Sequence, residues 1–148
     1  MISELSNTDL YQVSVVSLYT VAQWAIPLLL QVTGRGPEKP ALLVTSGWLA
    51  HDPEPNYFAL GVCKSAQQNV MLTLHNQMRP QGVHCALVMV NGHVHPEHDA
   101  TSPANIAEES WKLYISQGNG DMDVDTHINA TMGDDQFDID HDISGGSD

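Results

Sequence analysis

The sequence predicts an α/β chain with a parallel sheet, and three observations carry that reading. Two short, continuously apolar runs, ALLVTSG from Ala41 and VHCALVMV from Val83, have the character of strands covered on both faces. Long helix-forming stretches precede, separate and follow them. Strands that alternate with long helices pair in parallel through right-handed crossovers. Two strands make a narrow sheet with both edges open, so this organisation is that of half a domain unless further strands, or another chain, complete it.

The first helix is expected from about Leu10, capped by Ser6 or Asp9, with apolar residues at Val13, Val16, Ala22, Ile26 and Leu30. No residue from Gln12 to Thr33 is charged. Ser14, Ser17, Thr20, Gln23, Gln31 and Pro27 interrupt the run, so burial against protein is expected rather than a bilayer. Gly34, Gly36, Pro37 and Pro40 mark a loop before the first strand. Pro53 to Asn56 form a turn, and a second helix is expected over Tyr57 to Met78, stopped by Arg79-Pro80-Gln81-Gly82. After the second strand, NGHVHPEHDATSP reads as loop. Ser102 caps a third helix with Pro103 at its first position and Asn105 to Gln117 continuing it.

Charge divides the chain. Eighteen acidic residues stand against five basic ones, a net charge of −13. Nine of the acids are aspartates between Asp121 and Asp148, where no Lys or Arg occurs, which leaves −4 for residues 1–120. Residues 118–148 are expected to be a disordered acidic tail. Neither part attracts a polyanion, so nucleic-acid binding is not expected. The two cysteines, Cys63 and Cys85, lie among apolar residues and read as buried, inert thiols. With no basic n-region in MISELSNTD, a cytoplasmic setting follows. The tryptophans, Trp24, Trp48 and Trp111, read as core or interface residues.

Several local patterns, in order, resemble the C-terminal half of the short-chain dehydrogenase/reductase family. DLYQVSVVSLYTVAQWAIPLL is similar to the family helix that follows its fourth strand. ALLVTSGWLA is similar to the next strand, which carries a catalytic serine. YFALGVCKSAQQNVMLTLHNQMRPQGVHCALVMVNG is similar to the helix with the Tyr-x-x-x-Lys motif, the sixth strand and its Pro-Gly turn, and SPANIAEESWKLYIS to a late helix of one subgroup. The resemblance covers about Asp9 to Gln117. It implies a partial Rossmann-like fragment of a doubly wound parallel sheet over residues 1–117. It also implies an oxidoreductase acting on a carbonyl or secondary alcohol with NAD or NADP.

The same resemblance places functional residues. Lys64 corresponds to the lysine that binds the nicotinamide ribose and lowers the pKa of the catalytic tyrosine. Ser46, with Gly47 as the other candidate, corresponds to the substrate-orienting serine, and Ser14 stands at the position of an asparagine. The Pro-Gly turn reads Asn91-Gly92, which makes Gly92 a cofactor-side residue. Four residues before Lys64 stands Leu60 rather than tyrosine. Tyr57, one turn further back, shares a helix face with Lys64 and is the substitute acid. A spacing of seven residues separates them by about 10 Å along the axis. No Gly-rich phosphate loop occurs in the chain. A noncatalytic remnant or interaction subunit is the alternative. The resemblance also implies a homo-oligomer or partner-chain interface through residues 10–31 and 57–78.

On the residues alone, Tyr57 and Lys64 read equally as ordinary helix residues. HVHPEHD, with His93, His95 and His98, resembles the zinc-binding motif of metallo-β-lactamase-fold hydrolases, but Glu97 and Pro96 depart from it. A metal-dependent hydrolase is the remaining alternative, against a plain polar loop. Asp121, Asp123 and Asp125 match the start of a calcium loop, but Thr126 and Met132 break the pattern. No metal site is expected there.

Overall fold

A computed structural model of the chain describes residues 7–37, 40–116 and 125–129. The first helical stretch runs through α1 (Asn7–Tyr11), a π-helical turn (Gln12–Val16) and α2 (Ser17–Val32). Strand β1 (Ala41–Gly47) follows, then short 3-10 turns at Trp48–Ala50 and Pro55–Tyr57, and α3 (Phe58–Met78). A 3-10 turn at Arg79–Gln81 leads to β2 (His84–Asn91), then come α4 (Pro103–Ser116) and β3 (Asp125–Asn129). The breakers act as the sequence indicates: Gly82, at φ 82, takes the left-handed position that closes the turn after α3. Ser102 caps α4, its Oγ accepting the Asn105 N–H at 3.2 Å.

The sheet has three strands in the order β1-β2-β3, all parallel. The third strand corrects the sequence reading of residues 118–148 as a tail without structure. Asp125–Asn129 pairs with Leu87–Asn91, and Ile128 is buried against α4. The rest of that segment, including Asp121 and Asp123 of the calcium-like pattern, lies outside the described residues.

Side chains alternate across the sheet, and each face has its own core. Leu42, Val44, Cys85, Leu87 and Met89 face α2 and α3, packing with Leu18, Ile26, Met71 and Met78. Leu43, Ala86, Val88, Val90 and Ile128 face α4, packing with Ile106 and Leu113. Cys85 through Leu87 are wholly buried, so β2 is the central strand.

This layering corrects the expectation that both crossovers are right-handed. From β1 to β2 and from β2 to β3 the chain steps the same way across the sheet. The connecting helices, α3 and α4, lie on opposite faces. Two parallel crossovers of that kind have opposite hands, so one departs from the usual right-handed rule. The long connection over residues 92–102 gives the chain length to reach the other face.

Candidate functional site

A cleft of about 540 Å³ opens at the C-terminal ends of β1 and β2. Open α/β sheets place their ligands outside this edge. Gly47, Val90, Asn91, Gly92 and His93 line it from the strand ends. Trp48, Leu49, Asp52 and Glu54 line it from the turn after β1, and Tyr57, Leu60 and Lys64 from the start of α3. Gly92 sits at φ 127, backbone that residues with a Cβ rarely adopt, so this turn requires glycine.

Tyr57, Lys64 and Gly92, three of the sequence-predicted site residues, therefore share one cleft. Lys64 is half-buried, and loss of hydration holds its ammonium below the ordinary 10.5, an effect partly opposed by neighbouring Cys63. Tyr57 sits at the junction of the 3-10 turn and α3 and is 44% exposed. Leu60 lies between them in sequence and faces the same cleft.

Ser46 is placed differently. It lies on the α2–α3 face of β1, buried, and is absent from the cleft lining. Its hydroxyl donates to Gln67 Oε1 at 3.4 Å. Gln67 Nε2 donates to the Ser14 carbonyl at 2.8 Å. A buried glutamine thus ties together two residues that the sequence singled out, Ser14 and Ser46. The Ser14 carbonyl lies within the π-turn. Within Gln12–Val16 the ladder shifts to i→i+5, the Ser17 N–H bonding to the Gln12 carbonyl, and the α-helical pairing is displaced locally. Gln67 carries no sequence motif; its only signal is a Gln-Gln pair within a largely apolar helix.

A second missed group lies beside the cleft. His127 on β3 is in register with Met89 on the α2–α3 face. Its ring meets Trp48 edge-on at 5.6 Å between centroids and lies 6.0 Å from His51. Gln68 Nε2 and His51 Nε2 are 2.9 Å apart, and Asp125 reaches His127 at 3.4 Å. The contacts of His127 exist only because β3 joins the sheet.

The three histidines after β2 form a cluster with centroids 5.3 to 6.3 Å apart. Two of the ring nitrogens meet main chain: His98 Nδ1 bonds the His93 carbonyl at 3.0 Å, and His95 Nδ1 accepts the Glu97 N–H at 3.3 Å. Among the described residues no group of three or more His, Cys, Asp or Glu is arranged to hold a metal ion. Both cysteines are buried, and burial pushes the Cys85 thiol up to about 11, a protonated and unreactive group at neutral pH.

No family model matches the sequence, and no curated protein does either. Among solved structures, a short-chain dehydrogenase from Rhodopseudomonas palustris is similar at a TM-score of 0.67 and 13% identity. The similarity covers 84% of this chain and 52% of that one, so the chain spans about half the length of that enzyme. Identity this low establishes a shared fold: the sheet and its helices form part of a Rossmann-like α/β arrangement.

Proposed function

We propose that the chain is an oxidoreductase-type half-domain whose cleft receives the nicotinamide-ribose end of NAD or NADP together with a carbonyl or secondary alcohol. The observation that carries this reading is the position of Lys64, half-buried beside Gly92 and Tyr57 in one cleft at the strand ends. A partly desolvated ammonium there is suited to bind ribose hydroxyls. The residues fit that half of the cofactor; no Gly-rich turn in this chain fits the pyrophosphate. Bound dinucleotide would supply hydride to the carbonyl carbon. Tyr57 would donate its hydroxyl proton to the carbonyl oxygen and be reprotonated from solvent, to which it is open.

A noncatalytic subunit is the second reading, and a specific observation favours it. Leu60 faces the cleft where a proton donor belongs, and the Ser46 hydroxyl is spent on Gln67 inside the protein. In either reading the helices α2 and α3 supply a homo-oligomer or partner-chain surface over residues 10–31 and 57–78. Helix Thr8–Val32 is by length and composition apolar enough to cross a membrane. Its Leu18, Ala22 and Ile26 are buried in the protein, while most of the span is not.

The test is a titration of the purified chain with NADPH and NADH, followed by nicotinamide fluorescence. Saturable binding, weakened roughly tenfold or more by Lys64→Ala, is expected, since charge-assisted hydrogen bonds contribute about 1.5–3 kcal/mol. No binding up to millimolar cofactor, by protein that circular dichroism shows to be folded, sinks the stand-alone cofactor site.

A further inference from the structure

We infer that Lys64 is a nucleophilic amine that condenses with a neutral aldehyde bearing an apolar or aromatic group, which the cleft holds as an imine on Nζ. The inference concerns the carbonyl side of the cleft at the strand ends and needs no dinucleotide.

Three observations lead to it. The first is position. Lys64 lines a cleft of about 540 Å³, a volume within the range of small-molecule sites, and its side chain is half-buried there.

The second is the state of the amine. Among the described residues, Lys64 makes no ion pair and its Nζ no hydrogen bond. Lys112 is the contrast: exposed on α4, it holds Glu108 and Glu109 at 2.8 Å each. Loss of hydration lowers the Lys64 pKa from 10.5, against a smaller opposing effect of Cys63, whereas the bond to Glu108 leads those that raise the Lys112 pKa. A lysine partly dried in a cleft and without a carboxylate partner carries its lone pair more often, and the lone pair is what attacks a carbonyl.

The third is the wall of the cleft. Trp48, Leu49, Leu60 and Val90 give it an apolar side. Asp52, Glu54, Tyr57 and His93 are its other titratable groups, all exposed. Two carboxylates at the rim repel a carbonyl compound that bears its own carboxylate, and the apolar side suits an alkyl or aryl group. Leu60, out of place as a proton donor, fits as a contact for that group.

The step needs no oxidant or reductant. The Nζ lone pair attacks the carbonyl carbon, a C–N bond forms, and the carbonyl π pair moves to oxygen. One proton passes from nitrogen to that oxygen through water. The resulting hydroxyl takes a second proton, from Tyr57 or from water, and leaves as water while the nitrogen lone pair closes the C=N bond. Tyr57 regains its proton from solvent.

The experiment incubates the purified full chain at pH 7 with benzaldehyde and sodium cyanoborohydride, without NAD(P)H. Cyanoborohydride reduces the C=N bond and fixes the adduct as a secondary amine, and mass spectrometry of the peptides assigns it among the three lysines of the chain. Labelling of Lys64 that saturates with benzaldehyde concentration and exceeds that of Lys112 by at least about tenfold is expected. With glyoxylate, an anionic aldehyde, the ratio of Lys64 to Lys112 labelling should fall. Equal labelling of the two lysines, no plateau at Lys64, no adduct at Lys64, or an equal ratio with glyoxylate overturns the inference. Lys64→Arg should lose the saturable adduct and leave Lys112 labelling unchanged; the peptide map of the unmodified chain carries the test if that variant does not fold. A chain that forms the adduct but binds no NADPH keeps this inference and loses the cofactor reading, and the reverse result overturns this inference alone.

Discussion

The burial of Lys64 has a consequence for stability that does not depend on any ligand. Its folded pKa is lowered, with desolvation as the main cause. Below that lowered value the lysine is charged both folded and unfolded, and folding bears the full cost of drying the ammonium. Between the lowered value and the 10.5 of an unfolded lysine, the unfolded state binds more protons, so stability rises with pH. Lys64→Met should therefore raise the melting temperature at neutral pH, with the gain shrinking as pH approaches 10.5. Thermal melts of both proteins from pH 7 to 10 check this; equal or lower stability of Lys64→Met at pH 7 would mean the ammonium has partners that compensate its burial. Lys64 was legible in the sequence because a lysine among Val62, Cys63 and Ala66 stands out. The residues that line the cleft with it were not, since Trp48, Asp52 and Glu54 come to it through a turn whose path no periodicity specifies.

Among the elements, the π-turn, α3 and β1 meet at Gln67, whose amide satisfies the Ser14 carbonyl and the Ser46 hydroxyl. Removing it leaves buried polar groups without partners, at about 1–3 kcal/mol each. Gln67→Ala should destabilise the chain by about 1–3 kcal/mol in urea unfolding, because the longer of the two bonds contributes little. Ser46→Ala added to Gln67→Ala should cost less than the sum of the two single changes, as expected of contacting residues. Full additivity would show that Ser46 and Gln67 do not interact in solution. The sequence revealed the elements themselves: β1 over Ala41–Gly47, α3 ending at Met78, and the Ser102 cap all follow from apolar runs, breakers and capping chemistry. It hid the π-turn, because QVSVV has the same apolar pattern in either helix type. It also hid β3, because DTHIN carries little apolar character and is held by register with β2 and one buried residue, Ile128.

At the scale of the whole molecule, the first helical stretch and α3 leave a large apolar surface in water. Val13 and Trp24 are each 69% exposed and Phe58 77%, and Tyr19, Val21, Leu28 and Val62 join them. A groove of about 470 Å³ runs between α2 and α3, lined by Ala22, Ile26, Val70 and Leu74. Scattered apolar residues on a surface are ordinary, but this many large ones on two helices are expected to be covered by a partner. A net charge of −13 disfavours a bilayer rich in anionic lipid, so the occupant in solution is expected to be protein. Two copies packed helix to helix are expected to cover these residues. Trp24 is among the most exposed of them, and tryptophans at interfaces carry much of the binding energy. Light scattering at tens of micromolar should give at least twice the 16.2 kDa chain mass for the unmodified chain and the monomer mass for Trp24→Glu. A monomer before substitution would mean that two copies do not cover this face. An oligomer that survives Trp24→Glu would place the self-contact elsewhere on the molecule.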